Sequence, residues 1–213
     1  MQRSATRTLV HASRSTLSVR AFASSAVTMS GPPNTKDVNA SGMTQAETKK
    51  LPTREPSAEE KRILESVNEL YRSQATEHSY SVYDEQAVFH DPVGLAEGLG
   101  RIREQFNGLA KLFEKSTIDK QNVLDAPSFK KGFLVDQDVT YYTKADKDPV
   151  KTVNSLLTLE VNSSGKIIRH SEEWDHAGEK DSKDGVLGWM SEIRKKMTVA
   201  ATGAFLPQDP SKI

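Results

Sequence analysis

Tyr83-Asp-Glu-Gln-Ala-Val-Phe-His-Asp-Pro-Val-Gly94 is the stretch on which the fold turns. Its apolar centre, Ala87-Val-Phe89, runs through His90 to Asp91, where Pro92 and Gly94 stop it, so the segment Ala87 to Asp91 reads as an extended strand with a hard end. The flanks have a different period. Upstream, Ser57-Ala-Glu-Glu60 is a capping-box pattern followed by Ile63, Leu64, Val67, Leu70 and Tyr71 at helical spacing. A short second helix is expected around His78 to Asp84. Downstream, Ile102, Phe106, Leu109 and Phe113 recur at i, i+4, i+7 and i+11, which predicts an amphipathic helix from Gly100 to Glu114.

Beyond that helix the period drops to two. Phe133, Val135, Val139 and Tyr141 alternate with Asp136, Asp138 and Thr140, the mark of a half-buried antiparallel strand, and Ser116 to Leu124 is expected as another before it. Val150 to Val161 and Lys166 to Asp175 flank the polar turn Asn162-Ser-Ser-Gly165 and form a hairpin. Pairing across that turn sets Leu157 near His170, Ser155 near Glu172 and Val153 near Trp174, all on one face. A final helix is expected to carry Val186, Met190, Ile193 and Met197. Helices followed by a meander of strands is an α+β pattern: a bent antiparallel sheet covered on one side by helices.

The chain outside residues 57–197 has another character. Arg3, Arg7, Arg14 and Arg20 all precede the first acidic residue, Asp37, among many Ser, Thr and Ala. That composition predicts a mitochondrial transit peptide over residues 1–29 and delivery to the matrix, with Arg20-Ala-Phe-Ala-Ser-Ser25 suited to matrix-protease cleavage. A disordered basic terminus is the alternative, and an internal start at Met29 or Met43 would leave the chain in the cytosol. Residues 30–56 are polar and punctuated by Pro and Gly, so a disordered linker is expected there, and residues 198–213 are read as a flexible tail. The 29 basic and 29 acidic residues become 25 against 29 once the four arginines are removed, which disfavours generic nucleic-acid binding. Cysteine is absent, excluding disulfides, thiol catalysis and zinc-cysteine sites. No apolar run approaches the roughly 18 residues of a membrane span, so no integral membrane association is expected.

Tyr83 to Gly94, followed by Gly98 and Ile102-Arg-Glu-Gln-Phe106, resembles the NTF2-like superfamily, in its ketosteroid isomerase and SnoaL-like branch. Gly165-Lys-Ile-Ile-Arg-His-Ser-Glu-Glu-Trp174-Asp175 is similar to that family's last long strand. The resemblance also extends to uncharacterised fungal mitochondrial proteins of the superfamily. It implies an NTF2-like, cystatin-like cone over residues 57–197, whose curved sheet wraps around the helices and leaves an apolar pocket, and it implies a homodimer. Asp91 falls where the isomerases place a general base. His170 is a candidate donor in place of the acid those enzymes have where Leu157 stands, and Tyr71 is one in place of their tyrosine, whose ungapped position is Val67, if the connection to the second helix is one turn shorter. Tyr83, Phe89, Phe106, Ser155, Leu157, Glu172 and Trp174 are the expected pocket residues.

Each of these residues has a plain structural reading too. An Asp before Pro often closes a turn, a His beside an apolar face is often a satisfied core residue, and aromatic rings fill a core anyway. A metal site from His170, Glu172, Asp175 and His176 is disfavoured, since one strand cannot aim both parities at one ion, and no cofactor is expected. Two functions follow: isomerase or dehydratase chemistry on a small hydrophobic carbonyl compound with Asp91 as base, or a noncatalytic ligand-binding or protein-interaction module.

Overall fold

Residues 38–178, with Ile193 and Lys195, are described by the computed structural model of this chain. The expected transit peptide, the first part of the expected linker, the tail and all but Ile193 and Lys195 of the expected final helix lie outside them. Ser57 caps helix α2 (Ala58–Tyr71) through the predicted capping box: its side chain accepts from the Glu60 N–H, and Glu60 reaches back to the Ser57 N–H. The helix buries Ile63, Leu64, Val67, Leu70 and Tyr71, the residues its periodicity singled out. Helix α3 (Leu99–Leu112) buries Ile102 and Phe106 against the same core. Between the two, the expected second helix is only a 3₁₀ turn, Ser79–Val82, because strand β2 (Tyr83–His90) already begins at Tyr83. Asp91 lies just past that strand, and β3 (Leu95–Glu97) folds back on it.

The remaining strands are β4 (Lys115–Leu124), β5 (Gly132–Tyr142), β6 (Lys151–Val161) and β7 (Ile167–Trp174), close to the expected limits. With β1 (Thr53–Arg54) they build one seven-stranded sheet ordered β1-β4-β5-β6-β7-β2-β3. The pairs are antiparallel except β2 with β7, which run parallel, so the sheet is mixed rather than wholly antiparallel. That parallel pair joins β2 to the last described strand and sets His90, at the end of β2, beside Ser171 of β7.

The hairpin register differs from the expected one. Ser155 faces Trp174, Leu157 faces Glu172 and Leu159 faces His170, a slip of two residues along β7. The loop closes with Asn162 N–H bonded to the Lys166 carbonyl, and a bulge between Glu160 and Val161 adds the rest. A slip of two keeps every side chain on its face, so the inward set is unchanged while its neighbours are not.

Residues 38–56 also depart from the linker expectation. Helix α1 (Gln45–Thr48) is closed by its own capping box, and β1 pairs with β4. Met43 and Leu51 pack over Leu124, Leu134 and Leu156 on the sheet's outer face. The apolar content is as sparse as it looked; polar contacts supply the order, with Lys49 and Gln45 on Asp175 and Asn39 on the His176 carbonyl.

Ser57→Ala is expected to cost about 1 kcal/mol in urea unfolding through loss of the cap. Gly132→Ala is expected to cost ~1–3 kcal/mol by overpacking, because a Cβ there lies 1.9 Å from the Leu159 carbonyl oxygen across the β5–β6 pair.

Candidate functional site

The end of β2, the end of β7 and helices α2 and α3 converge on one cavity. Pro92 and Gly94 make the strand turn at Asp91, whose Oδ1 accepts from the Val93 N–H at 2.9 Å and the Gly94 N–H at 2.7 Å. The turn reading of Asp91 therefore holds, and the same side chain lines the cavity opposite Glu172 and Trp174. Five rings form most of the wall: Tyr71, Phe89, Phe106, Tyr141 and Trp174. Val93, Leu109 and Ile193 complete its apolar part, and Gln105 is its amide. Among the described residues no lysine, arginine or histidine is on the wall. The space is about 20 Å³, measured as positions a water molecule can occupy, which is room for a single water.

Glu172 is buried and bonded from two sides. The Tyr71 hydroxyl donates to its Oε2 at 2.7 Å and the Trp174 indole N–H to its Oε1 at 3.1 Å. Burial raises the Glu172 carboxyl above its ordinary range, opposed by these two donors and by the nearby Ser155 hydroxyl, which has no well-formed hydrogen bond of its own. Asp91 is half-buried by surface, yet the atoms crowding its carboxyl raise it to about 7, first by desolvation and then by the charge of Glu172. The Gly94 and Val93 N–H groups and the Gln105 side chain oppose that rise. Tyr71 and Tyr141 are pushed well above the phenol range by burial and by Glu172, so both stay hydroxyls.

Of the residues nominated from sequence, Asp91, Tyr71, Phe89, Phe106, Glu172 and Trp174 come together on this wall. His170, Tyr83, Ser155 and Leu157 do not line it, although all four are buried. On β6, Ser155 and Leu157 stand opposite Trp174 and Glu172, and it is these two β7 side chains that reach the cavity. His170 is set behind Tyr71, with Nδ1 2.8 Å from the Tyr83 hydroxyl and Nε2 3.3 Å from the Tyr71 hydroxyl. Burial lowers its pKa to about 3, so it is a neutral ring. Glu172, on the strand facing Leu157, is the second carboxyl on the wall, a residue the sequence placed in the pocket without a chemical part.

Tyr141, Gln105, Val93, Leu109 and Ile193 were not nominated. Tyr141 shares the inward parity of Phe133, Val135 and Val139, a signal that was present; Gln105 has only its place beside Phe106 on α3. Among the described residues no group of three or more His, Asp or Glu side chains is arranged to hold a metal ion, and no helix is long and apolar enough to cross a membrane.

No protein-family model matches the chain, and no curated protein matches it. Similar solved structures include a steroid delta-isomerase from Pseudomonas aeruginosa, 13% identical over 72% of this chain and 99% of that one, with a TM-score of 0.49. An NTF2-like protein of unknown function from Exiguobacterium sp. 255-15 is 13% identical over 53% of this chain and 97% of its own, at a TM-score of 0.43. A protein of ketosteroid isomerase-like fold from Catenulispora acidiphila, in complex with trimethylamine, is 12% identical over 52% and 83%, at 0.42. Likeness at this level concerns the fold alone.

Asp91 also sets a pH dependence. The folded chain holds its proton up to about 7, whereas an unfolded Asp loses it near 4, so its contribution to stability is greatest below about pH 4, falls as pH rises to about 7 and is level above. Asp91→Asn keeps an oxygen for the two turn N–H groups and removes that fall. The variant is expected to gain more stability over the parent at pH 8 than at pH 5 in paired urea titrations; an equal difference at both pH values contradicts the assignment.

Proposed function

We propose that this chain is an NTF2-like protein that takes a small, mainly apolar, carbonyl-bearing molecule against Asp91 and moves a proton on it, as an isomerase or dehydratase does. One observation carries the reading: two carboxyls, Asp91 and Glu172, share an apolar cavity whose wall, among the described residues, has no cationic side chain. A carboxylate held near 7 by desolvation is a stronger base than one in water and is half ionised at neutral pH. Ionised Asp91 would take the proton alpha to the carbonyl and return it elsewhere on the same skeleton. The negative charge developing on the carbonyl oxygen needs donors, and the polar side chains on the wall, besides the carboxyls and the Tyr71 and Trp174 donors to Glu172, are the Tyr141 hydroxyl and the Gln105 amide, which bonds Asp91. Ketosteroid isomerase is the standard illustration of such tuning, so the mechanism is carried over from it by analogy.

A second reading, a noncatalytic module, is favoured by the size of the cavity. At about 20 Å³ it accepts one water, so a ligand of even a few carbons has to displace wall side chains on entering. Two further proposals rest on the sequence: delivery to the mitochondrial matrix, on the arginine-rich first 29 residues, and a homodimer through the outer sheet face, on the family resemblance. The surface open for that dimer is narrowed by Met43 and Leu51, which already cover Leu124, Leu134 and Leu156.

The chemistry is tested by incubating the protein with a panel of small ketones in D₂O and following loss of the alpha-proton signal by NMR. Exchange is expected to rise through pH ~7 and to slow roughly 10²- to 10⁴-fold in Asp91→Asn at unchanged far-UV circular dichroism. Equal exchange by Asp91→Asn removes Asp91 from the mechanism, and no exchange with any ketone favours the module.

A further inference from the structure

A line of buried polar groups runs from behind the cavity wall to Tyr71 and Glu172 on it, and its far members, Tyr83 and His170, have no part in the proposed proton transfer. Tyr83, His170, Tyr71 and Glu172 are joined in that order by contacts of 2.8, 3.3 and 2.7 Å. They come from three elements, β2, β7 and α2, and all are buried. We infer that Tyr83 and His170 are positioning residues: with Tyr71 they form a one-way chain of hydrogen-bond donors that ends on Glu172, keeping Glu172 the anion while Asp91 carries the mobile proton.

The polarity follows from counting hydrogens. A neutral imidazole has one donor and one acceptor nitrogen, and a phenol has one hydrogen to give. If the Tyr71 hydroxyl donates to Glu172, its oxygen is left to accept from His170 Nε2–H. His170 Nδ1 is then the bare nitrogen and accepts from the Tyr83 hydroxyl, so every hydrogen is placed. The reverse polarity needs a protonated Glu172 donating to Tyr71, Tyr71 donating to Nε2, and Nδ1–H donating to Tyr83. It leaves the Tyr83 hydrogen without an acceptor, since that hydroxyl makes no other hydrogen bond among the described residues and Tyr83 is 4% exposed. An orphaned buried donor costs about 1–3 kcal/mol, so the forward chain wins.

Its far end agrees. Glu172 also receives the Trp174 indole N–H, a group that can only donate. Among the described residues nothing reverses the direction, and the Ser155 hydroxyl beside Glu172 has a hydrogen left to give it. His170 is otherwise faced by the rings of Phe89 at 4.8 Å and Phe106 at 6.3 Å between centroids. The titratable groups acting on Glu172 and Asp91 are each other, Tyr71 from α2 and Tyr141 from β5, with Ser155 from β6 and Gln105 from α3 as neutral hydrogen-bonding neighbours. A fixed anion at Glu172 favours the protonated form of Asp91, the form Asp91 takes after removing a proton from a substrate. Tyr83 and His170 thus divide two chemically alike carboxyls into a permanent charge and a proton carrier.

The inference rests on the reading of Asp91 and Glu172 as one site, and its test uses the ligand-free full chain so that the two fail separately. Long-range ¹⁵N–¹H NMR of His170 is expected to show a neutral ring protonated at Nε2, unchanged from pH 5 to 9. Carboxyl ¹³C titrations are expected to show Tyr83→Phe and His170→Leu each lowering the Asp91 midpoint by about half a pH unit or more and raising that of Glu172. A purely structural role would lower the melting temperature and leave both midpoints in place. A charged ring or one protonated at Nδ1 in the parent, or unmoved midpoints in Tyr83→Phe, overturns the inference. Should His170→Leu fail to fold, the parent tautomer and the near-isosteric Tyr83→Phe decide it. Absence of ketone exchange with the relay intact would sink the proposed chemistry alone.

Discussion

Two carboxyl groups in one apolar cavity repel each other and resent the loss of water, and burial of either without a partner costs several kcal/mol. The site is arranged around that cost. Glu172 is met by a phenol and an indole, and Asp91 by the two N–H groups of its own turn. Among the described residues the wall holds no cation, and burial with the charge of Glu172 raises Asp91 to about 7. The aromatic rings that exclude water are the same ones that make the proton stay.

The sheet makes this meeting possible. Strand β7 is flanked by β6 on one side and by the parallel β2 on the other, so a residue at the end of β2 and residues near the end of β7 share one end of the sheet. Helices α2 and α3 bring Tyr71, Phe106 and Gln105 to the same end from the concave side. The two-residue slip in the β6–β7 register sets Ser155 opposite Trp174 and Leu157 opposite Glu172.

The opposite face of the sheet is closed by residues 38–56, held by polar contacts. His176 is buried, with Nδ1 3.1 Å from the Thr48 hydroxyl and Nε2 3.0 Å from Asp136. Burial alone would raise the Asp136 carboxyl, but bonds from His176, Lys120 and Asn154 outweigh it and hold the group well below the usual carboxylate range. Asp175 and His176 both adopt positive φ, at 56° and 62°, a conformation L residues take at a cost. That turn carries the contacts to Gln45, Thr48 and Lys49, so the strain is offset locally.

How much was legible in the residues themselves follows the range of the forces involved. The capped α2, the amphipathic α3, the stop after Asp91 and the inward parity of β5, β6 and β7 are written in spacing, because burial on one face of a helix or strand imposes a short period. Asp91, Glu172 and Trp174 could be placed in a common pocket on those grounds with the family resemblance. Partnership is another matter. That the Tyr71 hydroxyl and the Trp174 indole meet on Glu172, that His170 stands behind Tyr71, that β2 runs parallel to β7 and that residues 38–56 fold onto the sheet depend on a bulge and on contacts up to 137 residues apart in the chain. Local pattern determined which side chains turn inward; only the tertiary structure decided which of them meet, because a hydrogen bond between distant segments leaves no period in the sequence.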